Sequence, residues 1–306
     1  MIGIRSGFEV PVLQWGDLES AQFGIIVFHG MTEHAGRYDR LGEWVQANHG
    51  CVIAANHVGH GDTRTGALGD LGPDGWEGLI ARNARLVDWV LEAAPQYPWV
   101  ILGHSMGSFI AQEVVSRYRP SVKGIVLTGA SYEPRWMLGI GWTVPFLLSL
   151  VFGKSAKGSL VYHILYGGFN RPFRPARTPF DWLSRWKEVV DSYIADPLCG
   201  FIPPLSFYMA AFGGFYQLFS PTLFAQCPNI PLLILTGAED SVTHFGAGSL
   251  ALGDRYREAG NTDVTVSVFK GLRHVVLNEL GDEVVYRTLR DWLSRIGSDT
   301  VTTHSN

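Results

Sequence analysis

Charge and cysteine are both scarce in this sequence. Only 17% of its 306 residues are charged, against 46% that are hydrophobic, and the formal net charge is -4. That balance supplies a sizeable core and argues against a disordered chain. It also lacks the basic surplus that broad nucleic-acid binding needs, so nucleic acid is not expected as a partner. Cys51, Cys199 and Cys227 are the three cysteines, an odd number without metal-ligand spacing. They support no disulfide framework and point to a reducing compartment. Met1 to Pro11 contains no apolar stretch of the kind a secretory signal needs. Internal repeats and low-complexity tracts are missing too. The polar end, 299–306, reads as a flexible tail.

What the chain does have is a rhythm of short apolar runs and amphipathic stretches. Phe8 to Trp15 reads as a first strand and Gly24 to Phe28 as a stronger one. Arg37 to His49 reads as a helix capped by Gly50. Cys51 to Ala55, Trp99 to Leu102, Gly124 to Thr128, Pro231 to Gly237 and Val264 to Phe269 are further strand candidates. Helical patterns run over Trp76 to Ala94, Ser108 to Val115, Gly246 to Glu258 and Glu283 to Ile296. Strands that are apolar throughout, alternating with helices, imply an α/β fold with a mostly parallel sheet covered on both faces. The rhythm breaks between about residues 131 and 228, a stretch rich in Trp, Phe, Tyr, Pro and Gly. The expected organisation is a core of 1–130 and 229–298 with an inserted helical cap at 131–228.

Between the Trp99 strand and the Ser108 helix lies Gly103-His-Ser-Met-Gly107. A serine on a sharp strand-to-helix turn has a strained backbone and an exposed hydroxyl. Glycines on either side make room, because a Cβ there would crowd strand or helix. The helix that follows turns its free N–H groups and positive end toward the serine. Ser105 is therefore the candidate nucleophile, and the Met106 N–H a candidate oxyanion donor.

A serine nucleophile needs a base, and the base needs an orienting acid. In such a sheet they follow in the order Ser, Asp/Glu, His. Asp240 comes just after the Pro231 strand and His274 just after the Val264 strand, in that order. Glu239 and Glu133 are alternative acids. The second oxyanion donor belongs in the loop His29-Gly-Met-Thr-Glu-His34, with the Met31 N–H as candidate. His29, His34, His57 and His60 fit no zinc spacing, so no metal is expected.

With these pieces in place the chain resembles the monoacylglycerol lipase/lysophospholipase group of the α/β-hydrolase superfamily. The resemblance rests on His29-Gly-Met-Thr-Glu-His-Ala-Gly-Arg-Tyr38, Asn56-His-Val-Gly-His-Gly-Asp62, Gly103–Gly107, Gly237-Ala-Glu-Asp240 and Gly271-Leu-Arg-His-Val-Val-Leu-Asn-Glu279. Asp196-Pro-Leu-Cys-Gly200 also resembles a cap motif of bacterial members. The resemblance implies Ser105, Asp240 and His274 as a triad and the Met31 and Met106 amides as oxyanion donors. It further implies hydrolysis of an ester of one long acyl chain, without a cofactor. Monoacylglycerol is the first expected substrate and a lysophospholipid the second. An acyltransferase using the same triad, and a catalytically inactive lipid-binding module, are the remaining alternatives.

The long uncharged run Trp136 to Phe152 is marginal in length for a membrane span. It reads instead as cap helix, as a wall for an acyl chain, or as a surface that touches a bilayer. Phe201 to Phe219 reads as a lipid entrance. Trp136, Phe146, Leu147, Phe201, Phe207 and Phe212 are the expected substrate contacts. Arg171 to Lys187 carries five basic residues and one acid, which suits anionic headgroups. The expected location is cytoplasmic, with peripheral contact at the inner membrane face through the cap. The sequence carries no signal for an oligomeric state.

Overall fold

Seven short apolar runs and one edge segment build the centre of the molecule. The computed structural model describes residues 3–5, 8–63 and 66–298, so the expected tail lies outside the described residues. Strands β1 (Gly3–Arg5), β2 (Val12–Trp15) and β3 (Phe23–Phe28) come first, then helix α1 (Asp39–Ala47) and β4 (Gly50–Ala55). Next are α2 (Gly75–Ala93), β5 (Trp99–His104), α3 (Met106–Tyr118) and β6 (Gly124–Thr128). Then the chain is helical: α4 (Arg135–Phe152), α5 (Ser159–Asn170), α6 (Lys187–Ala195), α7 (Leu205–Leu218) and α8 (Pro221–Gln226). The sheet resumes with β7 (Leu232–Gly237), α9 (Ala247–Glu258), β8 (Val264–Phe269) and the closing helix α10 (Glu283–Ser298).

The eight strands lie in the order β1-β2-β4-β3-β5-β6-β7-β8. β1 with β2 and β2 with β4 are antiparallel, and every pair from β4 to β8 is parallel. Parallel neighbours need crossovers, and the helices supply them on both faces. This is why alternate residues of one strand are all apolar. Ile26, Phe28, Ile53, Ile101, Leu127 and Ile234 pack toward α2 and α3, with Leu79, Ile80, Ile110 and Val114. Their neighbours Ile25, Val27, Val52, Val100, Leu102 and Leu233 pack toward α1 and α10, with Leu41, Val45, Val285 and Leu289. Each such side chain, fully buried, is worth roughly 1.5–3 kcal/mol.

The structure corrects the sequence reading in three places. The first strand candidate shortens to Val12–Trp15, and β1 pairs with it from Gly3–Arg5. Gly50 does not cap α1: it opens β4, and His49 makes the left-handed turn at φ 61°. A Cβ at Gly50 would meet Phe23 and Val45, so the glycine is there for close packing. β8 is not covered on both faces, because at the sheet edge most of its residues are half-buried or exposed.

The parallel strands end on one side of the sheet, and the loops that leave β3, β5, β6, β7 and β8 meet there. The helical insertion leaves from the carboxyl end of β6 on this side, and the chain returns through α8 to the opposite end of the sheet, where β7 begins parallel to β6. α4 packs along α7, and α7 along α2.

Candidate active site

Ser105 stands at the junction of β5 and α3 with φ 51° and ψ -118°. A positive φ is unfavourable for a residue with a Cβ and marks the strained corner expected of the pentapeptide. The corner is held by the Ser105 N–H, which donates to the Thr128 carbonyl at 2.9 Å. Both flanking glycines are required for space. A Cβ on Gly107 would run into the Phe28 carbonyl, and one on Gly103 into the backbone of Gly107. Met106 is the first residue of α3, where an N–H has no acceptor within the helix.

Asp240 follows β7 and is fully buried, as is His274 in the loop after β8. The His274 Nδ1–H donates to Asp240 Oδ2 at 2.9 Å, and Asp240 Oδ1 accepts the Val242 N–H at 2.9 Å. The turn after Asp240 is left-handed at His244, Phe245 and Gly246 in succession, and the Phe245 N–H returns to the Asp240 carbonyl at 2.7 Å. Of the two alternative acids, Glu239 lies 4.0 Å from Arg273, and Glu133 binds His244 at 3.0 Å. The His274 ring rests against Trp182 at 5.1 Å and His104 at 4.8 Å. Burial pushes His104 down to about 4, so it packs beside His274 as a neutral ring.

The loop after β3 is organised by a carboxylate that the sequence reading did not single out. Glu33 is buried, and its Oε1 accepts the Gly30 N–H at 2.6 Å and the Tyr38 hydroxyl at 2.9 Å. Burial alone would push the Glu33 carboxyl up. The Arg37 guanidinium and the hydrogen bonds from the Gly30 N–H and the Tyr38 hydroxyl hold the carboxyl below its ordinary range. The signal was in the sequence, three residues beyond Gly30, but only the fold shows that the side chain turns back onto that glycine.

Ser105, His274, Met31 and Met106 line one cavity of about 440 Å³. Its walls come from α4 (Leu138, Ile140, Val144), α5 (Val161, Ile164, Leu165, Phe169), α7 (Phe212, Phe215) and Phe109. Besides Ser105 and His274, its polar side chains include Glu33, His104, Ser131, Glu133, Tyr166, Tyr193 and His244, and among the described residues no Lys or Arg lines it. Of the six expected substrate contacts, Phe212 lines this cavity and the other five do not. Trp136 and Leu147 face outward at 68% and 55% exposure. Phe146 stacks on Trp142 along the outer side of α4. Phe201 and Phe207 pack against His60, outside the cavity lining. Arg171, Arg174 and Arg177, from the basic stretch expected to suit anionic headgroups, are exposed and lie outside the cavity lining, with Arg177 bound to Asp191 at 2.6 Å. Wall residues such as Leu165, Trp182 and Phe215 carried no distinguishing sequence signal, because any cap helix in an apolar core has them.

The histidines have structural partners. The His57 N–H donates to His29 Nε2 at 3.0 Å, and His57 Nε2–H to the His29 carbonyl at 3.1 Å. Burial pushes His57 down to about 3 and His60 to about 4, so both are neutral near pH 7. Elsewhere His34, Asp196 and Cys199 bring ligand-type atoms within 4.8 Å of one another. There His34 Nε2 is already bound to Asp196 at 2.7 Å. Burial pushes the Cys199 thiol up to about 12, which disfavours the thiolate a metal would need.

Residues 20–281 match the family described as serine aminopeptidase, S33. The monoacylglycerol lipase of Mycolicibacterium smegmatis is 30% identical over 299 residues, covering 95% of this chain and 93% of that protein. The mouse monoglyceride lipase is 26% identical, covering 88% of this chain and 82% of its own. Among solved structures, a lipase in its open form superposes with a TM-score of 0.84 at 25% identity, over 94% of both chains. The chain is a hydrolase of the serine aminopeptidase S33 family of α/β hydrolases and belongs to its monoacylglycerol lipase-like group.

Proposed function

We propose that the chain is a serine carboxylester hydrolase that cleaves monoacylglycerols through an acyl-serine intermediate. The observation that carries this reading is the buried Asp240–His274 pair, set with Ser105 at one apolar cavity. With Nδ1–H given to Asp240, His274 has Nε2 free to act as a base. It takes the Ser105 proton while the serine oxygen bonds to the ester carbonyl carbon. Asp240 keeps the ring in this tautomer and stabilises the imidazolium. The Met31 and Met106 N–H groups bind the oxyanion, each such donor being worth about 10²–10³ in rate. Collapse breaks the ester C–O bond, and the imidazolium proton leaves on the glycerol oxygen. Water, activated by His274, then attacks the acyl carbon and frees the fatty acid and Ser105. No cofactor takes part.

The cavity favours a neutral head. A lysophospholipid would bring a phosphate into a lining with two carboxylates, Glu33 and Glu133, and, among the described residues, no basic side chain except histidine. The hydroxyls of glycerol instead suit Glu133 and His244, while an acyl chain gains roughly 0.8 kcal/mol per buried methylene along α4, α5 and α7. The α4–α5 surface next to the cavity bears exposed Ile140, Leu150, Val151, Phe152 and Leu160, a patch suited to a bilayer interface. We read it as a peripheral membrane contact of a cytoplasmic enzyme. The test is hydrolysis of matched lauroyl esters of glycerol and of glycerophosphocholine. Preference for the glycerol ester is expected. Preference for the phosphocholine ester would overturn the head-group assignment.

A further inference from the structure

We propose that Tyr166 and Tyr193 are positioning residues: with Gly200 they lock Thr32 in a left-handed conformation and thereby fix the neighbouring Met31 N–H in the oxyanion hole. The proposal rests on the reading of Met31 as an oxyanion donor.

Thr32 has φ 55°, an outlier for a β-branched residue, and it is completely buried. Such a conformation persists only where the surroundings over-determine it. Here the surroundings are helices of the insertion, not the core. Thr32 Oγ1 lies 2.7 Å from the Tyr166 hydroxyl on α5 and 3.0 Å from the Tyr193 hydroxyl on α6. The Tyr193 hydroxyl donates to the Thr32 carbonyl at 3.0 Å, and the Gly200 N–H donates to the same carbonyl at 2.9 Å.

Counting protons orders the cluster. Each hydroxyl has one to give. Tyr193 gives its proton to the carbonyl, so the Thr32 hydroxyl donates to the Tyr193 oxygen and Tyr166 donates to Thr32. One directed chain results, Tyr166 to Thr32 to Tyr193 to the Thr32 carbonyl, with every proton used. Gly200 closes the segment Asp196-Pro-Leu-Cys-Gly200, whose Asp196 holds His34 two residues beyond Thr32. That segment thus grips the loop at both its middle and its end. Tyr166 and Tyr193 also line the cavity beside Met31 and Ser105. The insertion is therefore part of the catalytic frame, as well as a wall for the acyl chain.

The experiment compares wild type with Tyr166→Phe, Tyr193→Phe, the double variant and Thr32→Ser, which keeps the hydroxyl. Turnover of the short ester p-nitrophenyl butyrate gives kcat and KM. An alkyl trifluoromethyl ketone, which forms a tetrahedral oxyanion adduct, reports the hole itself. The double variant is expected to lose about tenfold or more in kcat, within the 10²–10³ that a whole oxyanion donor is worth. Its KM should stay within about twofold, its ketone affinity should fall in step with kcat, and Thr32→Ser should stay near wild type. If the melting temperature falls while kcat and ketone affinity hold, the cluster only braces the fold and the proposal is overturned. Should the double variant not fold, Tyr166→Phe is read by the same criteria, since it leaves both Thr32 carbonyl bonds in place. Ser105→Ala in parallel separates the two claims. Turnover by that variant overturns the serine mechanism, whereas a dead Ser105→Ala beside fully active tyrosine variants overturns the clamp alone.

Discussion

Asp240 and Glu239 are adjacent carboxylates with opposite surroundings. Asp240 is fully buried and bound to His274, while Glu239 is half-exposed beside Arg273. Replacing Asp240 by Asn keeps the shape but supports the wrong imidazole tautomer, which in a triad costs about 10⁴ in kcat. Asp240→Asn is therefore expected to fall by three to four orders of magnitude (roughly) in hydrolysis of a soluble ester, with Glu239→Gln within about twofold of wild type. A reversed ranking in steady-state assays would mean that the acid has been misassigned. At this scale the sequence was most readable where chemistry requires one residue type at one kind of turn. Ser105, Asp240 and His274 each follow a strand, so local pattern and chain order located them. Glu33 and Thr32 were written in the same motif as Met31, but their roles depend on side chains folding back or meeting α5 and α6. No spacing rule reports that.

At the scale of elements, two helices carry testable consequences. α3 buries Glu113, bound to Trp76 Nε1 at 2.7 Å and to Arg117 at 2.8 Å. Burial pushes its carboxyl up to about 7, against the pull of both partners. A raised value means the native state favours the protonated form, so this stabilisation is full below about 4.5 and is lost as pH rises through 7. Glu113→Gln should raise the melting temperature at pH 8 and give no gain at pH 5, as read by calorimetry. α4 presents Leu150, Val151 and Phe152 at 67–76% exposure. Leu150→Ser with Phe152→Ser should lower partition onto lipid vesicles at least about tenfold, given roughly 1.5–3 kcal/mol per large apolar side chain. Turnover of a soluble short ester should stay unchanged, since neither residue lines the cavity. Equal vesicle binding by wild type and variant would remove this face as the membrane contact. By length and composition α4 could also cross a bilayer. In the fold it packs along α7, between β6 and α5.

These elements also show where sequence reading gave out. The strands β3 to β7 were legible because a doubly covered sheet keeps them apolar up to their carboxyl ends, where His104, Thr128 and Thr236 stand. The expected substrate contacts on α4 were misplaced for the opposite reason. Its residues are apolar nearly all round, so periodicity cannot tell the cavity side from the outer side. Leu138, Ile140 and Val144 line the cavity, while Trp136 and Leu147, equally plausible by composition, face out. Phe201 and Phe207 were assigned by aromaticity, but they serve the packing around His60.

For the whole molecule the dominant electrostatic feature is a set of buried neutral histidines. His29, His57, His60 and His104 are all pushed below their ordinary value, chiefly by burial. The unfolded chain binds protons at these sites near pH 6.5, and the native state does not. Their stabilisation is present above pH 6.5 and is lost as pH falls toward 4. Each group contributes up to about 1.4 kcal/mol per pH unit, so four together outweigh the single opposite contribution of Glu113. Denaturant unfolding should show stability dropping steeply between pH 6.5 and 5, with several protons taken up on unfolding. A flat profile there would contradict the assignment of these rings as neutral in the fold.

The central claim is that Ser105 cleaves a monoacylglycerol. Its most direct test is fatty-acid release from 1-monolauroylglycerol by wild type and Ser105→Ala, with an active-serine fluorophosphonate label read on both. The account predicts rapid release and labelling at Ser105 in the wild type, and neither in a variant that remains folded. Release by Ser105→Ala at a comparable rate, or no release by a wild type that labels normally, would contradict it.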